Sequence, residues 1–173
     1  MLRRLQFRSI NYWGSELKMG EEAYQIKVDK WTFRVPKGLF YNENDCWAKI
    51  EGEVAKVGIA DFLQNMTSDI IFVQFKELGS KIEQFDEVAS FESTKALLDL
   101  ISPVSGTIEK VNEKLSESPE LANKDPYGEG WFAVIRLENF ENDRQNLLSA
   151  QDYFEVLKRK VETERRKLGK RRV

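Results

Sequence analysis

Short apolar runs separated by turn residues make up most of this chain. The runs that predict strands are residues 31–35, 46–50, 54–59, 69–75, 88–91, 97–101, 107–111 and 131–137. In the first run, Trp31, Phe33 and Val35 alternate with polar residues, which is the two-residue period of a half-buried strand. Many short strands with turn signals between them predict a mainly β protein, built as a small β-sandwich or flattened barrel.

Helical patterns are few, and most of them are short. Asp61 is predicted to cap a short helix that ends at Met66. Residues 125–130 contain one proline and two glycines, which predicts a loop. The one long helical pattern covers residues 151–168, and Gly169 is predicted to end it. The β body is therefore expected to be followed by a C-terminal helix.

These patterns divide the chain into three segments. Residues 1–30 are predicted to be an N-terminal extension over the surface of the body, since residues 15–30 are mixed and charged without a clear period. Residues 31–149 form the β body, and residues 150–173 form the C-terminal helix with its basic tail. Residues 1–14 carry three arginines and no acid, which also fits an organelle-targeting presequence. The segment is short and poor in serine, so a plain N-terminal arm is preferred.

The composition narrows the function. The chain has no histidine, which removes the commonest metal ligand and the commonest proton shuttle at neutral pH. Its single cysteine, Cys46, excludes an internal disulfide and fits a reducing compartment such as the cytoplasm. Cys46 could exchange with a disulfide, but a lone cysteine beside Trp47 in a predicted strand is more often a small core residue. No apolar run is long enough to span a membrane.

The net charge of −2 conceals an acidic body and a basic tail. Residues 158–172 contain nine basic and two acidic residues, a local charge of +7 that leaves −9 for the rest. Such a tail can bind nucleic acid or an acidic membrane surface through charge alone. It lacks interleaved aromatic residues for base stacking, and the acidic body would repel phosphate. We therefore predict neither a nucleic-acid nor a membrane partner.

One hairpin carries the candidate chemistry. The predicted strands 88–91 and 97–101 flank Ser93-Thr94-Lys95-Ala96, which is about the length of a hairpin loop. Their pairing would place the Lys95 ammonium at the outermost point of a stiff turn. A lysine on a turn is by itself most often an ordinary solvated charge, so its meaning depends on the residues around it.

The residues around Lys95 resemble the lipoyl-lysine region of the glycine cleavage system H protein family. The matching segments are Glu92-Ser93-Thr94-Lys95-Ala96, Asp99 and residues 102–108, 111–113, 119–121 and 123–131. The resemblance covers roughly residues 39–157. It implies a lipoyl-domain-like flattened sandwich of two small sheets, with Lys95 as the site of covalent lipoate attachment.

The resemblance also implies the partners. An H protein is a non-catalytic carrier whose lipoyl-lysine shuttles an aminomethyl group among a glycine decarboxylase, an aminomethyltransferase and a dihydrolipoyl dehydrogenase, after a lipoylating enzyme has attached the cofactor. Glu92 lies three residues upstream of Lys95, as in H proteins, and is expected to be a recognition contact for the lipoylating enzyme or a simple rim carboxylate. A monomer in the cytoplasm is expected, or in mitochondria if residues 1–14 are a presequence.

Two related classes of carrier domain fit less well. Biotinyl domains typically hold their lysine between two methionines, whereas the neighbours here are Thr94 and Ala96. Lipoyl domains of the 2-oxoacid dehydrogenases usually have aspartate directly before the lysine, where this chain has Thr94. The hairpin is therefore interpreted as H-like.

Three short segments depart from the family pattern. H proteins usually carry His-Glu-Trp where this chain has Asp45-Cys46-Trp47, and that histidine lies near the lipoyl arm. The family's Leu-Gly-Asp is Thr67-Ser68-Asp69 here, and its Glu-Leu-Pro is Gln74-Phe75-Lys76. These departures keep a second function open, namely an H-like lipoate-binding protein that carries sulfur intermediates beside heterodisulfide-reductase-like enzymes.

Overall fold

The computed structural model describes the backbone of residues 9–12 and 15–19 and the whole of residues 22–170. The strands are β1 (Ser9–Tyr12), β2 (Ser15–Met19), β3 (Ala23–Val28), β4 (Trp31–Pro36), β5 (Phe40–Tyr41), β6 (Cys46–Glu51), β7 (Val54–Ile59), β8 (Ile70–Phe75), β9 (Lys81–Ile82), β10 (Glu87–Ser93), β11 (Leu97–Ile101), β12 (Gly106–Val111) and β13 (Ala133–Leu137). The helices are α1 (Asp61–Thr67), α2 (Lys114–Glu117), α3 (Leu121–Lys124), α4 (Phe140–Asp143) with a 3-10 turn at Arg144–Asn146, and α5 (Ala150–Lys170).

Two antiparallel sheets form the sandwich that the sequence predicts. The order β5-β6-β7-β13-β12-β9 makes a six-stranded sheet, and β11-β10-β8 makes a three-stranded sheet. Apolar side chains of both sheets, among them Val57, Ile135 and Phe91, share one buried core. The prediction of a mainly β sandwich with short helices and a C-terminal helix is confirmed.

A second core joins the C-terminal helix to a third sheet, of order β1-β2-β3-β4. Ile26 and Val28 of β3 are buried together with Phe33 and Val35 of β4, and α5 packs on them. The rings of Tyr24 and Phe154 stack there with centroids 5.2 Å apart. Burying these apolar faces is what holds α5 against β3 and β4.

The sequence predicts no regular structure for residues 15–30, and this is wrong. β2 pairs with β3, and β3 pairs with β4 along its whole length. Only the end of β3 alternates clearly, with Ile26 and Val28 inward around an exposed Lys27, which is too short a signal to predict a strand.

The division of the chain at residues 30 and 149 stays a prediction. Of residues 1–14 only Ser9–Tyr12 is described beside β2, so the presequence interpretation lies outside the described residues.

Both predicted helix ends need correction. α1 begins after Ala60 without a side-chain cap, and the Asp61 carboxylate instead accepts hydrogen bonds from the Arg34 N–H at 2.8 Å and Gln64 Nε2 at 3.2 Å. This ties α1 to β4, and burial raises the pKa of the Asp61 carboxyl group. α5 continues through Gly169 to Lys170, because a glycine inside a helix lowers stability without forcing an end.

The chain crosses from the three-stranded to the six-stranded sheet between β11 and β12. The Ser102 hydroxyl donates to the Val104 carbonyl at 2.6 Å, and both the backbone N–H and the hydroxyl of Ser105 donate to one Asp143 carboxylate oxygen at 2.7 Å. Gly106 then opens β12 opposite Leu137. These side-chain bonds add to the backbone hydrogen bonds of Ser102 with Phe85 and Asp86 and fix the crossing between the sheets.

Candidate functional site

The Lys95 hairpin is built as the sequence predicts. β10 and β11 pair with Glu92 opposite Leu97, and the Ser93 N–H donates to the Ala96 carbonyl at 2.9 Å. The buried Ser93 hydroxyl accepts the backbone N–H groups of Lys95 and Ala96, both at 3.1 Å. A serine side chain that bonds to backbone groups of its own turn in this way stiffens the loop.

A further bond ties the tip of the hairpin to the neighbouring strand. The Thr94 N–H donates to the Asp69 carbonyl at 3.1 Å, just before β8 begins. The turn is thus held by its own serine on one side and by the Asp69 carbonyl on the other. Any group attached to the turn would start from a fixed point.

Lys95 is exposed at this tip. Within residues 22–170, no ion pair involves its ammonium. The structure therefore presents the amino group outward and leaves it accessible to another protein. Glu92 is exposed on β10 of the same hairpin. Lipoate attachment to Lys95 and recognition through Glu92 stay predictions.

Asp45, at the position where the sequence lacks the family histidine, anchors the C-terminal helix. Its backbone has a φ of 60°, in the left-handed region, and its side chain is largely buried. One carboxylate oxygen accepts the Tyr153 hydroxyl at 2.7 Å, and the two oxygens accept Lys160 Nζ at 2.9 and 2.8 Å. Lys160 Nζ also donates to the Glu43 carbonyl at 2.6 Å. The aspartate therefore has a structural use in this chain.

Sequence reasoning missed this anchor. Asp45 and Lys160 are 115 residues apart, and no local pattern marks either as a partner of the other. A signal was present in the basic tail, since one of its lysines sits on the apolar side of α5, between Leu157 and Val161. That position alone does not identify which carboxylate it meets.

Cys46 is a core residue of β6. It is fully buried, and its thiol donates to the Asn44 carbonyl at 3.6 Å. Burial raises the pKa of the thiol to about 12, so the reactive thiolate is scarce at neutral pH. This favours the packing interpretation of Cys46 over exchange with a disulfide.

We predict that Lys160→Met destabilises the fold by about 1–2 kcal/mol, because it leaves the buried Asp45 carboxylate without its cation. Lys167→Met is the matched control on the same helix, since Lys167 pairs with Glu164 at an exposed position. It should cost less than about 0.5 kcal/mol. Urea unfolding of both variants measures the difference. Equal effects would show that the Asp45 contact contributes nothing specific.

Other basic residues of α5 pair along the helix surface. The pairs are Lys158–Glu155 at 2.7 Å, Arg166–Glu162 at 3.0 Å and Lys167–Glu164 at 2.7 Å. Glu155, Glu162 and Glu164 therefore offset part of the helix's positive charge and leave most of it unmatched. Arg171 and Arg172 lie outside the described residues. Among the helices within residues 22–170, none combines the length and apolar character needed to cross a bilayer.

The fold and the hairpin together define a small β-sandwich that presents one lysine from a stiff turn. The family model described as glycine cleavage H-protein matches residues 39–160. The chain is 42% identical over 144 residues to a probable glycine cleavage system H protein of Aeropyrum pernix, covering 83% of this chain and 100% of the relative. It is 44% identical over 119 residues to the glycine cleavage system H protein of Rubrobacter xylanophilus, covering 69% and 91%.

A solved structure gives the same result. The crystal structure of a glycine cleavage system H protein from Mycobacterium marinum matches with a TM-score of 0.61 and 30% sequence identity, covering 69% of this chain and 95% of that chain. This chain therefore belongs to the glycine cleavage H-protein family, as the residues around Lys95 imply. Proteins of this family are lipoyl carriers.

Proposed function

We propose that this protein is the non-catalytic lipoyl carrier of a glycine cleavage system, with lipoate joined to Lys95 through an amide bond. The observation that supports it most is the exposed Lys95, in no ion pair within the described residues, at the tip of a hairpin fixed by Ser93. This segment lies inside the part of the chain that matches the family. When bound, lipoate would supply a pair of sulfurs that can form a disulfide, be reduced to a dithiol, and carry the aminomethyl group on one sulfur once the disulfide is open.

The residues around Lys95 suit a flexible arm on a rigid base. The Ser93 hydroxyl and the Asp69 carbonyl hold the turn, so the arm's freedom lies in the side chain and the cofactor. Acylation of the amino group removes its charge. Within residues 22–170 this breaks no ion pair, because Lys95 takes part in none there. Tethering keeps the reactive group at a high local concentration near a docked enzyme.

The partners follow from this proposal. The arm would be loaded by a glycine decarboxylase, unloaded by an aminomethyltransferase and reoxidised by a dihydrolipoyl dehydrogenase. A lipoylating enzyme would act first, with the exposed Glu92 as one of its contacts. We further propose that the protein works as a monomer in the cytoplasm.

The contacts of Asp45 bear on the choice between the two cargoes. The sulfur-carrier alternative rests on three departures from the family pattern, and the one at the position of the family histidine is the replacement of His-Glu by Asp45-Cys46. Asp45 bonds to Tyr153 and Lys160, and Cys46 fills the core, so the departure has an explanation that needs no change of cargo. This supports the aminomethyl group as the cargo.

A labelled-glycine assay tests the cargo directly. The lipoylated protein, mixed with its cognate glycine decarboxylase, should release labelled carbon dioxide from carboxyl-labelled glycine in proportion to the amount of carrier. Reduction of the same sample by a dihydrolipoyl dehydrogenase is the control, because it shows that the arm is present and accessible. A carrier that is reduced normally but supports no glycine-dependent release would contradict the aminomethyl proposal and favour the sulfur alternative.

A further inference from the structure

Exposed apolar side chains concentrate beside the Lys95 turn. Among residues 22–170, the exposed large hydrophobic residues are Ile71 at 54%, Phe72 at 54%, Leu78 at 61%, Phe85 at 47% and Leu97 at 70%. Ile71, Phe72 and Leu97 lie at the end of the three-stranded sheet that carries the Lys95 turn. Leu78 follows the far end of β8, and the Phe85 N–H donates to the Ser102 carbonyl beyond the far end of β11.

Strand register places these residues side by side. Glu92 of β10 lies opposite Leu97 on one side and opposite Phe72 on the other. Directly opposed residues of neighbouring strands share a face, with Cβ atoms about 5 Å apart. We call Ile71, Phe72, Glu92 and Leu97 the hairpin patch.

A bulge adds Ile71 to this surface. The pairing of β8 with β10 shifts between Phe72 opposite Glu92 and Ile70 opposite Ser93, so Ile71 has no partner in the register. A bulge turns side chains away from strict alternation. Ile71 and Phe72 are therefore both exposed although they are consecutive. Adjacent apolar residues exposed to water lower solubility, so a surface that keeps them is a candidate for contact with another protein.

Apart from Lys95 itself, the charged residues on the strands that carry the hairpin patch are all acidic. Residues 69–75 and 87–101, which form β8, β10, β11 and their turn, contain four carboxylates, and Lys95 is their only basic residue. Asp69 and Asp99 are exposed like Glu92. The surface therefore fits a partner that offers an apolar contact bordered by basic residues.

How closely an enzyme must approach the Lys95 turn indicates which partner binds the hairpin patch. An enzyme that acylates the Lys95 amino group must bring its reaction centre to the end of an unmodified lysine side chain. Its surface must then cover the residues flanking the turn, and Leu97 is two positions from Lys95. An enzyme that acts on the distal end of a lipoyl arm can stay farther from the turn.

We propose that the hairpin patch is the docking surface for the lipoylating enzyme, an acyltransferase whose lysine-entry site is apolar with a basic rim. This inference rests on the proposed attachment of lipoate to Lys95. Phe72 and Leu97 supply the apolar contact, and Glu92 between them orients the enzyme through charge. Apolar residues at the centre of an interface carry much of its binding energy.

Three threonine variants test the inference. Phe72→Thr and Leu97→Thr remove the apolar contact while keeping a residue suited to strands. Leu78→Thr is the matched control, at similar exposure but at the other end of the sheet. Initial rates of lipoylation by the cognate enzyme are measured by intact mass over a range of unmodified carrier concentrations. We expect kcat/KM to fall about tenfold or more for each patch variant, mainly through KM, and less than about twofold for Leu78→Thr.

The outcomes separate this inference from the proposed function. If the wild-type protein is not lipoylated at all, the proposed function fails and this inference fails with it. If the wild type is lipoylated and both patch variants react at the wild-type rate, only the inference fails. It also fails if the patch variants are lipoylated normally but lose glycine-dependent turnover, since the patch would then bind an enzyme that uses the arm. Circular dichroism of each variant confirms that it is folded.

Discussion

Lys95→Arg is expected to lower both lipoylation and glycine-dependent turnover to background. Arginine keeps the positive charge and the length of the side chain, but its guanidinium group stays protonated and offers no amine for acylation. Lys95 is exposed, and within residues 22–170 it forms no ion pair, so the free energy of unfolding should change by less than about 0.5 kcal/mol. Intact mass after incubation with a lipoylating enzyme measures the first effect, and the labelled-glycine assay measures the second.

Lys110→Arg is the control for this variant. Lys110 is also exposed and belongs to β12 of the other sheet, so the control protein should be lipoylated at Lys95 and turn over like the wild type. A Lys95→Arg protein that still gains the mass of a lipoyl group would show that another residue carries the cofactor. A Lys95→Arg protein that is unmodified yet active would show that no lipoyl arm is needed.

Gly106→Ala is expected to destabilise the fold severely. A Cβ atom at Gly106 would lie 1.9 Å from the Arg136 carbonyl oxygen and 2.9 Å from Ile135 Cγ2. The backbone cannot move away easily, because Gly106 pairs with both Leu137 and Ile82 and follows the Ser105 contact. We expect a loss of about 4 kcal/mol or more, in the range that only severe packing or backbone conflicts produce.

Gly169→Ala is the matched glycine control. Gly169 lies in α5, and among the described residues no atom outside its chain neighbours and the adjacent backbone of the helix lies within 4 Å of the position of an added Cβ. Because alanine is the better helix former, the change should stabilise the protein by up to about 1 kcal/mol. Urea unfolding measures both variants. A Gly106→Ala protein as stable as the wild type would contradict the close backbone approach at the crossing between the sheets.

The features that the sequence predicts well are local ones. The strands around Lys95 and the turn between them could be predicted because short apolar runs flank four polar or small residues. The loop at residues 125–130 is likewise confirmed, since proline and glycine restrict the backbone wherever they occur. Gly38 and Gly52 both take positive φ in turns between predicted strands. In each case the physical cause lies within a few residues of its effect.

The features that the sequence does not predict depend on distant partners. β3 is recognisable only once β4 and α5 cover Ile26 and Val28. Asp61 looks like a helix cap because its nearest backbone groups belong to α1, but its carboxylate meets Arg34 of β4. The bulge at Ile71 comes from a shift in pairing between β8 and β10, and the sequence of either strand alone looks regular. Each of these contacts joins segments that are far apart in the sequence, and no local pattern of residues shows that they will meet.

Site-resolved mass spectrometry of the protein purified from its native cell shows directly whether Lys95 carries lipoate. We predict a lipoyl group on the peptide that contains Lys95 and on no other lysine. A Lys95 that is unmodified in every molecule, in cells that lipoylate their other carrier proteins, would contradict it.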